Sequence, residues 1–165
     1  MTRLALVSDT HVPSRARRIP ERIRTRVRRA DRVVHAGDFD SADALASVRE
    51  LADGDLTAVA GNTDPAALDL PEIATLDVAG VTFVVTHGTG PVRGYGERVA
   101  ETVRREADDA AVGVSGHTHE VLDERVDGVR LLNPGSATGA APADRATMMT
   151  ATVEDGAVTV RTHEA

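Results

Sequence analysis

At 165 residues the chain has the length of one domain, read here as 1–165, and enough material to bury a core. Hydrophobic residues at 41% and charged residues at 27% are ordinary for a globular protein, and the absence of cysteine excludes disulfides and thiolate metal sites. A net charge of −7 argues against a surface that coats nucleic acid, although one basic block, "RARRIPERIRTRVRR", stands out. No apolar run is long enough for a signal-peptide core or a bilayer span, so the expectation is a cytoplasmic protein with no membrane partner.

The elements alternate at first. "RLALVS" (3–8) reads as a strand ending at Asp9, and "PERIRTRVRRA" (20–30) as a helix with Pro20 in its first turn and Ile23 and Val27 on one face. A second strand spans 31–39. The helix over 41–51 opens with Ser41 as N-cap, and a third strand, 55–64, closes in a Gly-Asn turn. This β-α-β-α-β order implies parallel strands with right-handed crossovers. Residues 72–88 read as a hairpin around Ala79-Gly80, 96–107 as a helix, and "AAVGVSG" as a strand. Two further hairpins turn at Asp127-Gly128 and Asp155-Gly156. Only 135–146 looks loose. An α/β front and an antiparallel back are both satisfied by two sheets packed face to face with helices outside.

Polar residues gather at the strand ends. Asp9 and His11 follow the first strand, Asp38 the second, Asn62 the third, His87 the fifth, and His117 and His119 the sixth. Ligands in α/β sheets bind beyond the carboxyl ends of the strands, so residues from 9 to 119 should converge. In extended chain, positions i and i+2 point the same way, so Asp9/His11 and His117/His119 should each present two donors. Four histidines, two aspartates and an asparagine suit Mn, Fe, Zn, Ni or Co better than calcium, magnesium alone or Cu(I). Seven donors exceed one tetrahedral ion and suit two, with Asp38 as the natural bridge and an acidified water between them. Any one of these histidines alone would be read as a core or loop residue, and the aspartates and asparagine as caps or turns. Agreement at five strand ends favours ligands.

"DTH", "GDFD", "GNTD", "THG" and "GHTH", in that order, resemble the calcineurin-like metallophosphoesterase superfamily. The short length and "NPGS" at 133–136 look like its small prokaryotic YfcE-type phosphodiesterases. The resemblance implies an α/β fold, a four-layer α-β-β-α sandwich of two mixed sheets. It implies a metal-dependent phosphodiesterase with two divalent ions, most often Mn²⁺ (with Ni²⁺, Fe²⁺, Zn²⁺ or Co²⁺ as alternatives), acting on a small phosphodiester. Asp9, His11, Asp38 and His119 would hold one ion, and Asp38, Asn62, His87 and His117 the other. Asn62 would also contact the substrate phosphate, and Asn62, His87 and Asp38 form the reacting centre, where a metal-bridging hydroxide attacks phosphorus. Small members often form homodimers or homotetramers, and the resemblance implies the same expectation here.

Two positions depart from the pattern. Many superfamily members place a histidine after the Gly-Asn, where this chain has Thr63, and small members often have "HGH", where it has Thr89. Both candidate proton donors are therefore missing, and activity should favour activated, aryl-type diesters. The alternative is a weak or inactive scaffold of the same fold that serves as a protein-interaction module. Asp64 is read either as a support for His117 or Asn62 or as a turn residue. Elsewhere, His35 reads as a core histidine, His163 as solvent-facing, Tyr95 as a helix-start packing residue, and Arg15, Arg17, Arg18 and Arg93 as surface residues.

Overall fold

A computed structural model describes residues 1–165. Five strands form the first sheet. These are β1 (Thr2–Val7), β2 (Arg32–His35), β3 (Leu56–Ala58), β9 (Thr147–Glu154) and β10 (Ala157–Glu164), in the order β10-β9-β1-β2-β3. The second sheet is ordered β4-β5-β6-β8-β7, from β4 (Ile73–Val78), β5 (Val81–Thr86), β6 (Val112–Val114), β7 (Val121–Val126) and β8 (Val129–Pro134). Helices α1 (Glu21–Arg28), α2 (Ala42–Leu51) and α3 (Tyr95–Glu106) cover the outer faces, and a single 3₁₀ turn spans Ala66–Leu68. None of them is long and apolar enough to cross a membrane.

Period-two patterning separates the layers. Along β1, Leu4 and Leu6 enter the core between the sheets, while Ala5 and Val7 face α1 and α2. Along β5, Phe83 and Val85 enter the same central core, and Val84 packs under Val99 and Val103 of α3. Burial on both faces yields the expected four-layer α-β-β-α sandwich. Ser41 caps α2 as expected, its hydroxyl accepting the N–H of Ala44 at 3.1 Å.

The parallel pairings β1–β2 and β2–β3 and the hairpin β4–β5 follow the sequence reading. The antiparallel back does not stay together. The β7–β8 hairpin joins the second sheet with β8 parallel to β6, whereas β9–β10 returns to pair antiparallel with β1. The carboxyl ends of β1, β2 and β3 therefore meet those of β5 and β6 at one edge of the sandwich.

Candidate metal centre

All seven expected donors converge at that edge. Asp9, His11, Asp38, His87 and His119 are buried, while His117 is half-buried and Asn62 exposed at the mouth. Asp9, His11 and His119 form one compact group of potential ligand atoms, and Asp9, Asp38 and His87 form a second. Asp38 Oδ2 lies 3.1 Å from His87 Nε2 and 3.5 Å from His11 Nε2, between the two groups. Asn62 Oδ1 lies 3.0 Å from both His87 Nε2 and His117 Nδ1.

The local backbone differs from the extended chain expected. Asp9, His11, Asp38, Asp40, His117 and His119 all adopt positive φ, six of the eleven non-glycine residues that do so. His117 and His119 consequently face different groups. Such conformations cost about 1–3 kcal/mol each and persist only where surroundings impose them. Close approach also demands glycine. A Cβ on Gly61 would sit 2.0 Å from Asp38 Oδ1, and one on Gly116 would sit 2.0 Å from Ser8 Oγ.

Every aspartate and histidine of the set has its other atom tied down. Asp9 Oδ2 accepts from Ser8 Oγ (2.7 Å) and the His117 N–H (3.0 Å), leaving Oδ1 buried without any hydrogen bond. Asp38 Oδ1 accepts the Thr63 N–H. His11 Nδ1 donates to Asp40 (3.0 Å), His87 Nδ1 to the Ala36 carbonyl (2.6 Å), and His119 Nδ1 to the Ala140 carbonyl (2.8 Å). His117 is tied the other way round, its Nε2 donating to the Gly90 carbonyl at 2.8 Å. These tethers fix the tautomers, so the remaining nitrogens carry lone pairs.

The inward atoms thus repel one another. His11 Nε2 and His119 Nε2, both lone-pair bearers, stand 3.2 Å apart, and Asn62 Oδ1 meets two more lone pairs. With the rings neutral, this set and the orphaned Asp9 Oδ1 are acceptors around no donor, which fits a cation. Protonated rings would meet the same need for positive charge. Burial alone would push the Asp9 carboxyl up, but His11, His119 and His87 outweigh it and hold its pKa well below the usual range. Burial likewise opposes the imidazolium of His11 and His87, yet Asp9 and Asp40 for the first, and Asp38 and Asp9 for the second, raise both pKa values. The pocket therefore favours positive charge.

The supporting residues were less legible. Asp64 supports neither His117 nor Asn62. Its carboxylate accepts the N–H groups of Asp38, Phe39, Asp40 and Gly61 at 2.7–2.9 Å and so shapes the loop that carries Asp38. Asp40, not singled out from the sequence, orients His11 and accepts from Ser14 and from the Thr63 hydroxyl. Its signal was available: a second carboxylate two positions after Asp38. The segment 135–146 is not loose. Ser136 donates to the Asp9 carbonyl, Thr138 to the Thr10 carbonyl, and Ala140 anchors His119.

His35 is the expected core histidine. Its Nδ1 accepts the Gly37 N–H and its Nε2 faces Thr10. Tyr95 packs at the start of α3 with its hydroxyl against Ser115 and the Gly116 carbonyl, and Asn133 bonds that same carbonyl. Arg15, Arg17, Arg18 and Arg93 are exposed, Arg15 donating to the Ala141 carbonyl. His163 departs from expectation, being half-buried with Nε2 2.8 Å from Thr150 Oγ1.

Comparison with known proteins places the chain in a family. A probable metallophosphoesterase from Methanothermobacter thermautotrophicus is 32% identical over 136 residues, which cover 82% of this chain and 77% of the relative. Among solved structures, vacuolar protein sorting 29 of Chaetomium thermophilum superposes with a TM-score of 0.81 at 18% identity, covering 100% of this chain and 97% of the other. A structure described as a novel archaeal phosphodiesterase gives 0.76 at 22% identity, covering 99% of each chain. At these identities the structural matches establish the fold alone. The calcineurin-like phosphoesterase superfamily domain matches residues 2–156, nearly the whole sequence, and the chain belongs to that superfamily.

Proposed function

We propose that the chain is a metal-dependent phosphodiesterase holding two divalent ions, with Mn²⁺ the first choice. The observation that carries this reading is the buried, unpartnered Asp9 Oδ1, facing inward nitrogens whose lone pairs are fixed by tethered tautomers. Asp9, His11 and His119 would hold one ion and Asn62, His87 and His117 the other, with Asp38 shared between them. When bound, such ions supply Lewis acidity toward a phosphoryl oxygen and acidify a water between them.

The chain's own residues do the rest. Asn62, exposed at the mouth, directs its amide Nδ2 to the substrate phosphate while Oδ1 faces the centre. Asp38 and His87 fix the floor. Asp40 holds His11, and burial of five donors limits competing water. Proton delivery is where the site is weak. Thr63 commits its hydroxyl hydrogen to Asp40, and Thr89 is exposed; neither titrates. The leaving group therefore departs with its charge, which favours aryl and otherwise activated small diesters.

The test is hydrolysis of a bis-aryl phosphodiester with Mn²⁺, with and without chelator, beside His117→Ala. Turnover that chelator and variant both abolish supports the proposal. A folded protein inert with every divalent metal would transfer support to a second reading, an interaction module. The observation favouring that reading is threonine at both proton-donor positions, in a chain that superposes on vacuolar protein sorting 29.

A further inference from the structure

A second polar concavity lies on the opposite part of the first sheet. Helix α1 covers β1 and Met148 of β9 but not the outer face of β9 and β10 beyond it, where the side chains are polar. Thr150, Thr152, Thr159, Arg161 and His163 form the floor, with Arg3, Arg26 and Arg29 as walls. Cross-strand register aligns them: Arg3 pairs with Thr152, which pairs with Thr159, while Arg161 pairs with Thr150. The alternate residues of these strands, Met149, Ala151, Val153, Val158 and Val160, enter the central core. Arginine and threonine on this face are therefore a choice the fold did not force.

The groove measures about 460 Å³ and has no hydrophobic and no acidic lining residue. That is unusual company for a chain of net charge −7. The flanking acids are already engaged, Glu21 with Arg24 and Arg28 and Glu164 with Arg145. Arg3, Arg26, Arg29 and Arg161 make no ion pair with any of them. Burial, and after it the positive charges of Arg26 and Arg161, hold the His163 pKa down.

We infer that this groove is a binding site for a small, wholly polar polyanion of the inorganic oligophosphate class. Guanidinium forks match phosphate oxygens in pairs, and threonine hydroxyls donate to those remaining. The lining contains no aromatic side chain on which a base could stack and no apolar surface for a lipid chain. Arg3 stands six residues before Asp9 along β1, about 20 Å by strand rise, so the groove is separate from the metal donors.

The test is calorimetric binding of inorganic triphosphate to the full chain, to Arg26→Gln/Arg161→Gln, and to a charge-matched control, Arg49→Gln/Arg125→Gln. All four substituted arginines are exposed, so the fold should be retained, and equal thermal melting of the three proteins verifies this. The expected result is binding that weakens at least tenfold in the groove variant and not in the control, with a His163 ring shift on titration. Equal binding by all three proteins, or equal loss in both variants, overturns the proposal. A short single-stranded oligonucleotide that binds more tightly than triphosphate, and loses more in the groove variant, would overturn it in favour of nucleic acid.

Discussion

The Asp64 carboxylate accepts the backbone N–H of Asp38 at 2.9 Å while also holding those of Phe39, Asp40 and Gly61. One side chain thereby ties the loop after β2 to the loop after β3 and sets the left-handed turn on which Asp38 depends. Replacing Asp64 with alanine strands these donors in a partly buried place. The expected cost is about 3 kcal/mol of stability, together with weaker metal binding. Denaturant unfolding and Mn²⁺ titration of Asp64→Ala measure both; unchanged stability would show that water substitutes for the carboxylate.

Asp40 reaches the centre through His11 and, by way of Thr63, through Asp38. With Asp40→Ala, His11 loses the acceptor that fixes its tautomer, and metal affinity or activity should fall roughly 10–100-fold. The fold should survive. A titration with the metal ion, compared with wild type, separates this positioning role from a purely structural one.

On the proposed mechanism, Thr63 stands where a proton donor is lacking. Thr63→His should raise turnover of alkyl diesters by roughly 10²-fold while leaving aryl diesters nearly unchanged. The readout is the aryl-to-alkyl rate ratio. A parallel change for both substrates would mean that proton delivery is not what limits the enzyme.

His35 is fully buried, and burial first of all depresses its pKa to about 3 against an unfolded value of about 6.5. The sign follows from linkage. Below pH 6.5 the unfolded chain takes a proton that folded His35 refuses, so its contribution to stability is whole above about 6.5 and shrinks toward pH 3. Ring NMR signals of His35 should therefore stay those of the neutral form down to about pH 4. A midpoint near 6 would mean the ring is not sealed.

The β4–β5 turn places Ala79 at φ 46° ahead of Gly80 at 84°, whereas the other two hairpins use Asp-Gly with the same signs. Alanine gains nothing in that region, and Ala79→Asn should stabilise by about 1 kcal/mol. Thermal melting checks it.

Much of this architecture was legible because it rests on local signals. Alternation along β1 and β5, the Ser41 cap and the Gly-containing turns each declare themselves within a few residues. The donors were legible for another reason: strand ends of a parallel sheet converge, so order along the chain implies proximity. What escaped was long-range. Nothing near β9 states that it pairs with β1 rather than extending the second sheet, because its alternating pattern suits either edge. Asp64 and Asp40 escaped because turn aspartates look alike until the N–H groups they face are known. The segment 135–146 looked loose because its order comes from Asp9 and Thr10, far away in sequence.

The left-handed backbone at Asp9, His11, Asp38, His117 and His119 has an evolutionary corollary. The side chains that tolerate such dihedrals best are asparagine, aspartate and histidine, the same ones that ligate metals. A drift from Asp38 to asparagine would surrender charge and metal yet leave every turn in place. Chemistry can thus be lost by single conservative steps that the turns still accommodate, and the shell that remains keeps its surface for new uses.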